Sequence, residues 1–166
     1  MNTSLKMTPK LAVAFAALGL CLGACLKTEK FPVEPHIMMK EFKQFGDSTS
    51  LVISFTDGDG DIGLGQNDVN PPFDTASIYY FNLFCDMSRR QNNSWVPVTQ
   101  LPYYYRVPSI TPTGQNKALN GDIAVALKPF PLPPVLLGDT VRFNVKLVDR
   151  ALHQSNTVTT EAIRLH

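Results

Sequence analysis

Beyond residue 34 the chain is written largely in short runs where apolar and polar positions alternate with a period of two. Leu51, Ile53 and Phe55 alternate with Val52, Ser54 and Thr56, and Ile123, Val125 and Leu127 repeat the pattern. Val141, Phe143, Val145 and Leu147 alternate with Thr140, Arg142, Asn144 and Lys146. Tyr79, Phe81, Leu83, Cys85 and Met87 share one parity, with Asn82 and Asp86 on the other. Successive side chains of a strand point to opposite faces, so each run predicts a half-buried β-strand. Thr157 to Leu165 reads as a final, more polar strand. Turn signals at Gly46-Asp47, Asn70-Pro71-Pro72, Gln91-Asn92-Asn93, Asn120-Gly121 and Gly138-Asp139 separate these segments.

About seven strands over roughly 130 residues predict an all-β domain. The expected architecture is an immunoglobulin-like or fibronectin III-like antiparallel β-sandwich, with a small β-barrel as the runner-up. The Pro-rich stretch from Pro129 to Pro134 is expected to cross between sheets or to form an edge. No repeat, heptad or long helical period is present.

The first 24 residues follow a different pattern. Lys6 and Lys10 precede an uncharged apolar run from Leu11 to Leu22. A spanning helix needs about 20 apolar residues, and a run of about a dozen behind a basic start is the layout of a secretory signal. The run closes in Leu22-Gly23-Ala24-Cys25, which resembles the bacterial lipobox. That resemblance implies a diacylglycerol on the Cys25 thiol, cleavage before Cys25, and an N-acyl lipid on the new amino group. Cys21 is a rival cleavage point, but Leu20 before it is bulky. Acyl chains contribute about 0.8 kcal/mol per buried CH₂, so two or three anchor a protein stably. The expected plan is a signal peptide over 1–24, a lipidated extended tether over 25–34, and one sandwich domain over 35–166.

Composition sharpens this plan. The chain has 166 residues, 44% hydrophobic and 17% charged, enough for one core and too few for two ordinary domains. Its 15 basic and 14 acidic residues become 13 and 14 once the signal is removed. A net charge near zero gives no electrostatic basis for nucleic-acid binding. Of the 3 cysteines, Cys25 and Cys85 survive processing, and Cys85 lies on the inward parity of its strand, the position of a core thiol rather than a nucleophile. His36, His153 and His166 show no zinc spacing, and no phosphate loop, dinucleotide fingerprint or Gly-x-Ser-x-Gly elbow occurs. The expectation is a protein that is not an enzyme.

One loop carries chemistry. In Phe55-Thr56-Asp57-Gly58-Asp59-Gly60-Asp61-Ile62-Gly63, three carboxylates alternate with small residues that permit tight winding. Such a loop can present several oxygens to a hard cation, and calcium tolerates irregular oxygen cages best. It is not an EF-hand, because Ile62 stands where that loop requires glycine and a strand leads in. Asp57 continues the inward parity of Leu51, Ile53 and Phe55, and Asp149 continues that of Val141 to Leu147. If these runs are strands B and F on facing sheets, their C-terminal loops meet at one end. Asp57, Asp59, Asp61, Asp149 and Asn156 are therefore the candidate calcium ligands. The competing readings are a solvated acidic turn and neutralisation by Arg150.

The acidic loop, together with Lys146-Leu147-Val148-Asp149-Arg150-Ala151 and Ser155-Asn156-Thr157-Val158, resembles the small Ig-like lipoproteins of Bacteroidota. The resemblance covers most of the mature chain and implies a lipid-anchored outer-membrane protein. Leu152-His153-Gln154 departs from the Gly-Asn type of turn, and Leu26-Lys27-Thr28-Glu29-Lys30 lacks a compact acidic run that directs display at the cell surface. The face of the membrane, periplasmic or external, stays open. The expected role is a structural or accessory subunit beside an outer-membrane β-barrel or transporter. The alternative is a surface glycan- or peptide-binding module, with Trp95, Tyr103, Tyr104 and Tyr105 as a stacking platform and cross-strand packing as their bland role.

Overall fold

A computed structural model describes residues 30–45, 48–99, 103–110, 117–127, 136 and 138–165. The signal segment, Cys25 and the Pro129 to Pro134 connection lie outside the described residues. The strands are β1 (His36–Phe45), β2 (Ser48–Asp57), β3 (Leu83–Gln91), β4 (Ser94–Pro97), β5 (Tyr103–Tyr105), β6 (Leu119–Leu127), β7 (Thr140–Leu147), β8 (Val158–Thr159) and β9 (Ile163–Arg164). They form two antiparallel sheets: three strands in the order β1-β2-β6, and six in the order β4-β3-β7-β8, with β5 also on β3 and β9 also on β7. Among the described residues no strand pairing joins the two sheets, so the architecture is a sandwich and not a closed barrel. Naming β1, β2 and β6 strands A, B and E, and β4, β3, β7 and β8 strands C′, C, F and G, gives the immunoglobulin-like order.

The alternation read along the chain sets the core. In β7 the odd positions Val141, Phe143, Val145 and Leu147 are buried and the residues between them are half-exposed. They meet Leu51, Ile53 and Phe55 of β2, Ile123 and Leu127 of β6, and Leu83, Cys85 and Met87 of β3 in one cluster. Cys85 is fully buried, and desolvation pushes its thiol up to about 12, which makes it a packing residue. The β3–β4 hairpin turns at Asn92 and Asn93, whose φ values of 47° and 63° suit the primed turn that matches strand twist.

Four expectations are corrected. Tyr79 lies in a short 3₁₀ turn, Ile78–Tyr80, and Phe81 caps it, so β3 opens only at Leu83. Asn82 is 2% exposed rather than outward-facing. Its amide donates to Val107 O (3.2 Å) and accepts from Val107 N (2.6 Å), bracketing one backbone residue. Asn120-Gly121 lies inside β6, where a Cβ on Gly121 would stand 3.2 Å from the Phe55 ring. The 157–165 stretch is two short strands rather than one. Between them Thr160 faces Phe143, its N–H donating to Phe143 O and its hydroxyl accepting from Phe143 N, which breaks the regular ladder.

Candidate metal centre

The strands β2 and β7 deliver their C-terminal ends to the same end of the sandwich from opposite sheets. Inward parity carries one residue past each run of apolar side chains, so Asp57 and Asp149 are aimed at the core rim, 0% and 1% exposed. Asp61 is half-buried and Asp59 is exposed. One carboxylate oxygen from each of Asp57, Asp59, Asp61 and Asp149 falls within 4.8 Å of the others. Calcium binds oxygen at about 2.3–2.6 Å, so its ligands lie at most about 4.6–5.2 Å apart, and oxygens gathered within 4.8 Å are close enough to share one such ion.

Hydrogen bonds fix the loops but leave oxygens over. Asp57 Oδ2 accepts from Gly60 N (2.7 Å) and Asp61 N (3.1 Å), a tight turn that Gly60 closes with φ of 75°. Asp61 Oδ2 accepts from Ala151 N (2.9 Å), and its carbonyl accepts from Arg150 N, which stitches the β2–β3 loop to the β7–β8 loop. Asp149 Oδ1 accepts from His153 N (2.8 Å), and its Oδ2 pairs with His153 Nδ1 (2.9 Å). Asp57 Oδ1 and Asp61 Oδ1 are buried with no hydrogen-bond partner. A buried carboxylate oxygen without a donor is costly, and two converging ones constitute a demand for positive charge.

The electrostatics agree. Two ionised carboxylates within 4.8 Å of one another repel by at least about 3 kcal/mol at an effective dielectric near 20. Desolvation, reinforced by its acidic neighbours, lifts Asp57 above the usual carboxylate range against the two backbone donors that lower it. Desolvation followed by Asp149 and Asp59 raises Asp61 to about 6. Asp149 is also raised by desolvation, with His153 opposing, and His153 is raised in turn by that carboxylate. Among the described residues His153 is the one basic side chain in ion-pair contact with the cluster.

Arg150, the expected competitor, turns elsewhere. Its guanidinium donates to Gly63 O and Ser109 Oγ and lies 3.7 Å from Asp68. Asp68 is occupied by Arg150 and by Gly65 N. Asn156 also differs from expectation: its amide accepts from Ile37 N (2.8 Å) and donates to Ile37 O (2.9 Å), pinning the start of β1. His153 was missed as a site residue, although its place four residues after Asp149 in a tight loop is a signal of reach.

The aromatic candidates do not form one platform. Tyr103 packs edge-on against Phe143 at 5.5 Å, and Tyr105 reaches across to Ala126 O. Tyr104 lies on the opposite face, wedged against Phe81 and Phe84 with its hydroxyl on Asp86. It borders an open groove of about 330 Å³ with Asp86, Ser88, Thr99 and Asn144. Trp95 is covered by the Arg142 guanidinium, 4.3 Å from the ring centre. Comparison of the chain with protein-family models, curated proteins and solved structures returns no match.

Proposed function

We propose that this chain is a lipid-anchored, non-catalytic β-sandwich of the bacterial outer membrane whose acidic end binds calcium, and that it serves as an accessory subunit of an envelope complex. The observation that carries the calcium reading is the convergence of four carboxylates from two facing sheets, with Asp57 Oδ1 and Asp61 Oδ1 buried and unpaired. A cation there stitches the β2–β3 loop to the β7–β8 loop and so ties the two sheets together at one end. The anchor reading is supported by Leu22-Gly23-Ala24-Cys25 behind the basic, apolar leader.

Isothermal calorimetry of the detergent-solubilised chain tests the first part: calcium gives a single-site heat that Asp57→Asn and Asp149→Asn abolish. Equal heats in wild type and both variants would contradict it. Labelled palmitate tests the second, appearing on the wild type and vanishing in Cys25→Ala. A mild-detergent pull-down tests the third, recovering a stoichiometric β-barrel or transporter.

A further inference from the structure

The acidic loop has a neighbour that the cation reading leaves unexplained. Gly58 sits between two of the carboxylates, Asp57 and Asp59, and the chain leading into β1 lies directly on it. A Cβ at Gly58 would stand 2.3 Å from Phe31 O and 2.6 Å from Pro32 O, so only glycine admits this crossing. Phe31 is half-buried and Pro35 is buried. Beyond it, His36 pairs with Thr56, and Ile37 is held on both its N–H and its C=O by Asn156. Residues 31–35 therefore run as a strap from the acidic loop to the fixed start of β1.

Resting on the calcium reading above, we infer that cation binding at Asp57, Asp59, Asp61 and Asp149 locks the strap at residues 31–35 against the 57–61 loop. The physical link is the floor on which the strap lies. Like charges on both sides of Gly58 push the 57–61 loop apart, and a cation drawn between them closes it into the surface that Phe31 and Pro32 contact. Closing the loop removes local openings of the segment lying on it.

Hydrogen exchange of the full chain in detergent tests this, with calcium alone or with EDTA. The amides of Val33, Glu34 and His36 are expected to exchange roughly tenfold more slowly with calcium, while the Asn92-Asn93 turn at the far end keeps its rate. In Phe31→Ala, which trims the strap's half-buried side chain and leaves all four carboxylates in place, calcium heat persists and the protection of the strap amides is lost. Calcium heat in the wild type without slowed exchange at 33–36 would overturn the strap and leave the metal site standing. Absence of calcium heat would overturn the metal site itself, and with it the strap. Should Phe31→Ala fold poorly, the wild-type comparison of the two segments decides alone.

Discussion

Asp57 concentrates the chemistry of this chain in one side chain. One oxygen closes a tight turn on Gly60 and Asp61, and the other is buried without a partner beside further carboxylates. Asp57→Asn keeps an acceptor for the turn and removes a charge. Without calcium the variant is expected to be more stable than wild type at pH 7.5 by about 1–2 kcal/mol, and to have lost the calcium-induced rise in melting temperature. Paired thermal melts check both halves; a variant that is less stable yet still responds to calcium would contradict the account. The pH dependence has a defined sign. Asp57, Asp61 and Asp149 bind protons more tightly folded than unfolded, so calcium-free stability is full below the ordinary carboxylate range near 3.8 and falls as pH rises toward about 6. The His153 contribution has the same direction, present below the ordinary 6.5 and lost as pH rises through its higher folded value. Melts in EDTA between pH 4 and 8 should therefore decline, and calcium should reverse the trend because it competes with those protons. The inward aim of Asp57 and Asp149 was legible from parity alone. The turn of Arg150 toward Ser109 was not, because it depends on a segment 41 residues away in the chain.

At the scale of elements, clean alternation was readable and interrupted alternation was not. β7 is exposed to one sheet face at every second residue, so its sequence displays the pattern without error. β1 hid because its register against β2 shifts between Met39 and Glu41. That bulge moves the inward apolar positions from Ile37 and Met39 to Phe42, so no single parity runs through the strand. Asn82 was misplaced for a related reason, since a strand parity was extended through a 3₁₀ turn where side chains do not alternate. Its bracket on Val107 joins the start of β3 to the segment after β5. Asn82→Ala leaves the buried Val107 N–H unpaired, while the Val107 carbonyl keeps its bond from Leu64 N, and is expected to cost about 1–3 kcal/mol. Urea unfolding checks this, with the midpoint lowered and the slope unchanged; a neutral substitution would mean that the bracket is replaced by water. Asn156 makes the same bracket on Ile37, so the structure uses one device twice to tie loop to strand.

For the whole molecule, the two sheets share a continuous apolar core, but their loops at one end are held by polar contacts and opposed by charge. Among the described residues a core of this kind, built around Leu51, Ile53, Val145 and Leu147, holds the sandwich without a disulfide. The acidic end is the weak point of that arrangement, and it is also where residues 31–35 cross Gly58. The most direct measurement of the central claim is the melting temperature of the wild-type chain at pH 7.5, titrated with calcium against magnesium. If calcium binds with the roughly 0.1 mM affinity of extracellular sites, about 10 mM adds about 2.7 kcal/mol and raises the melting point by roughly 5–10 °C. Magnesium at the same concentration should do much less. A melting point that calcium leaves unchanged, or that both ions raise equally, would contradict the account.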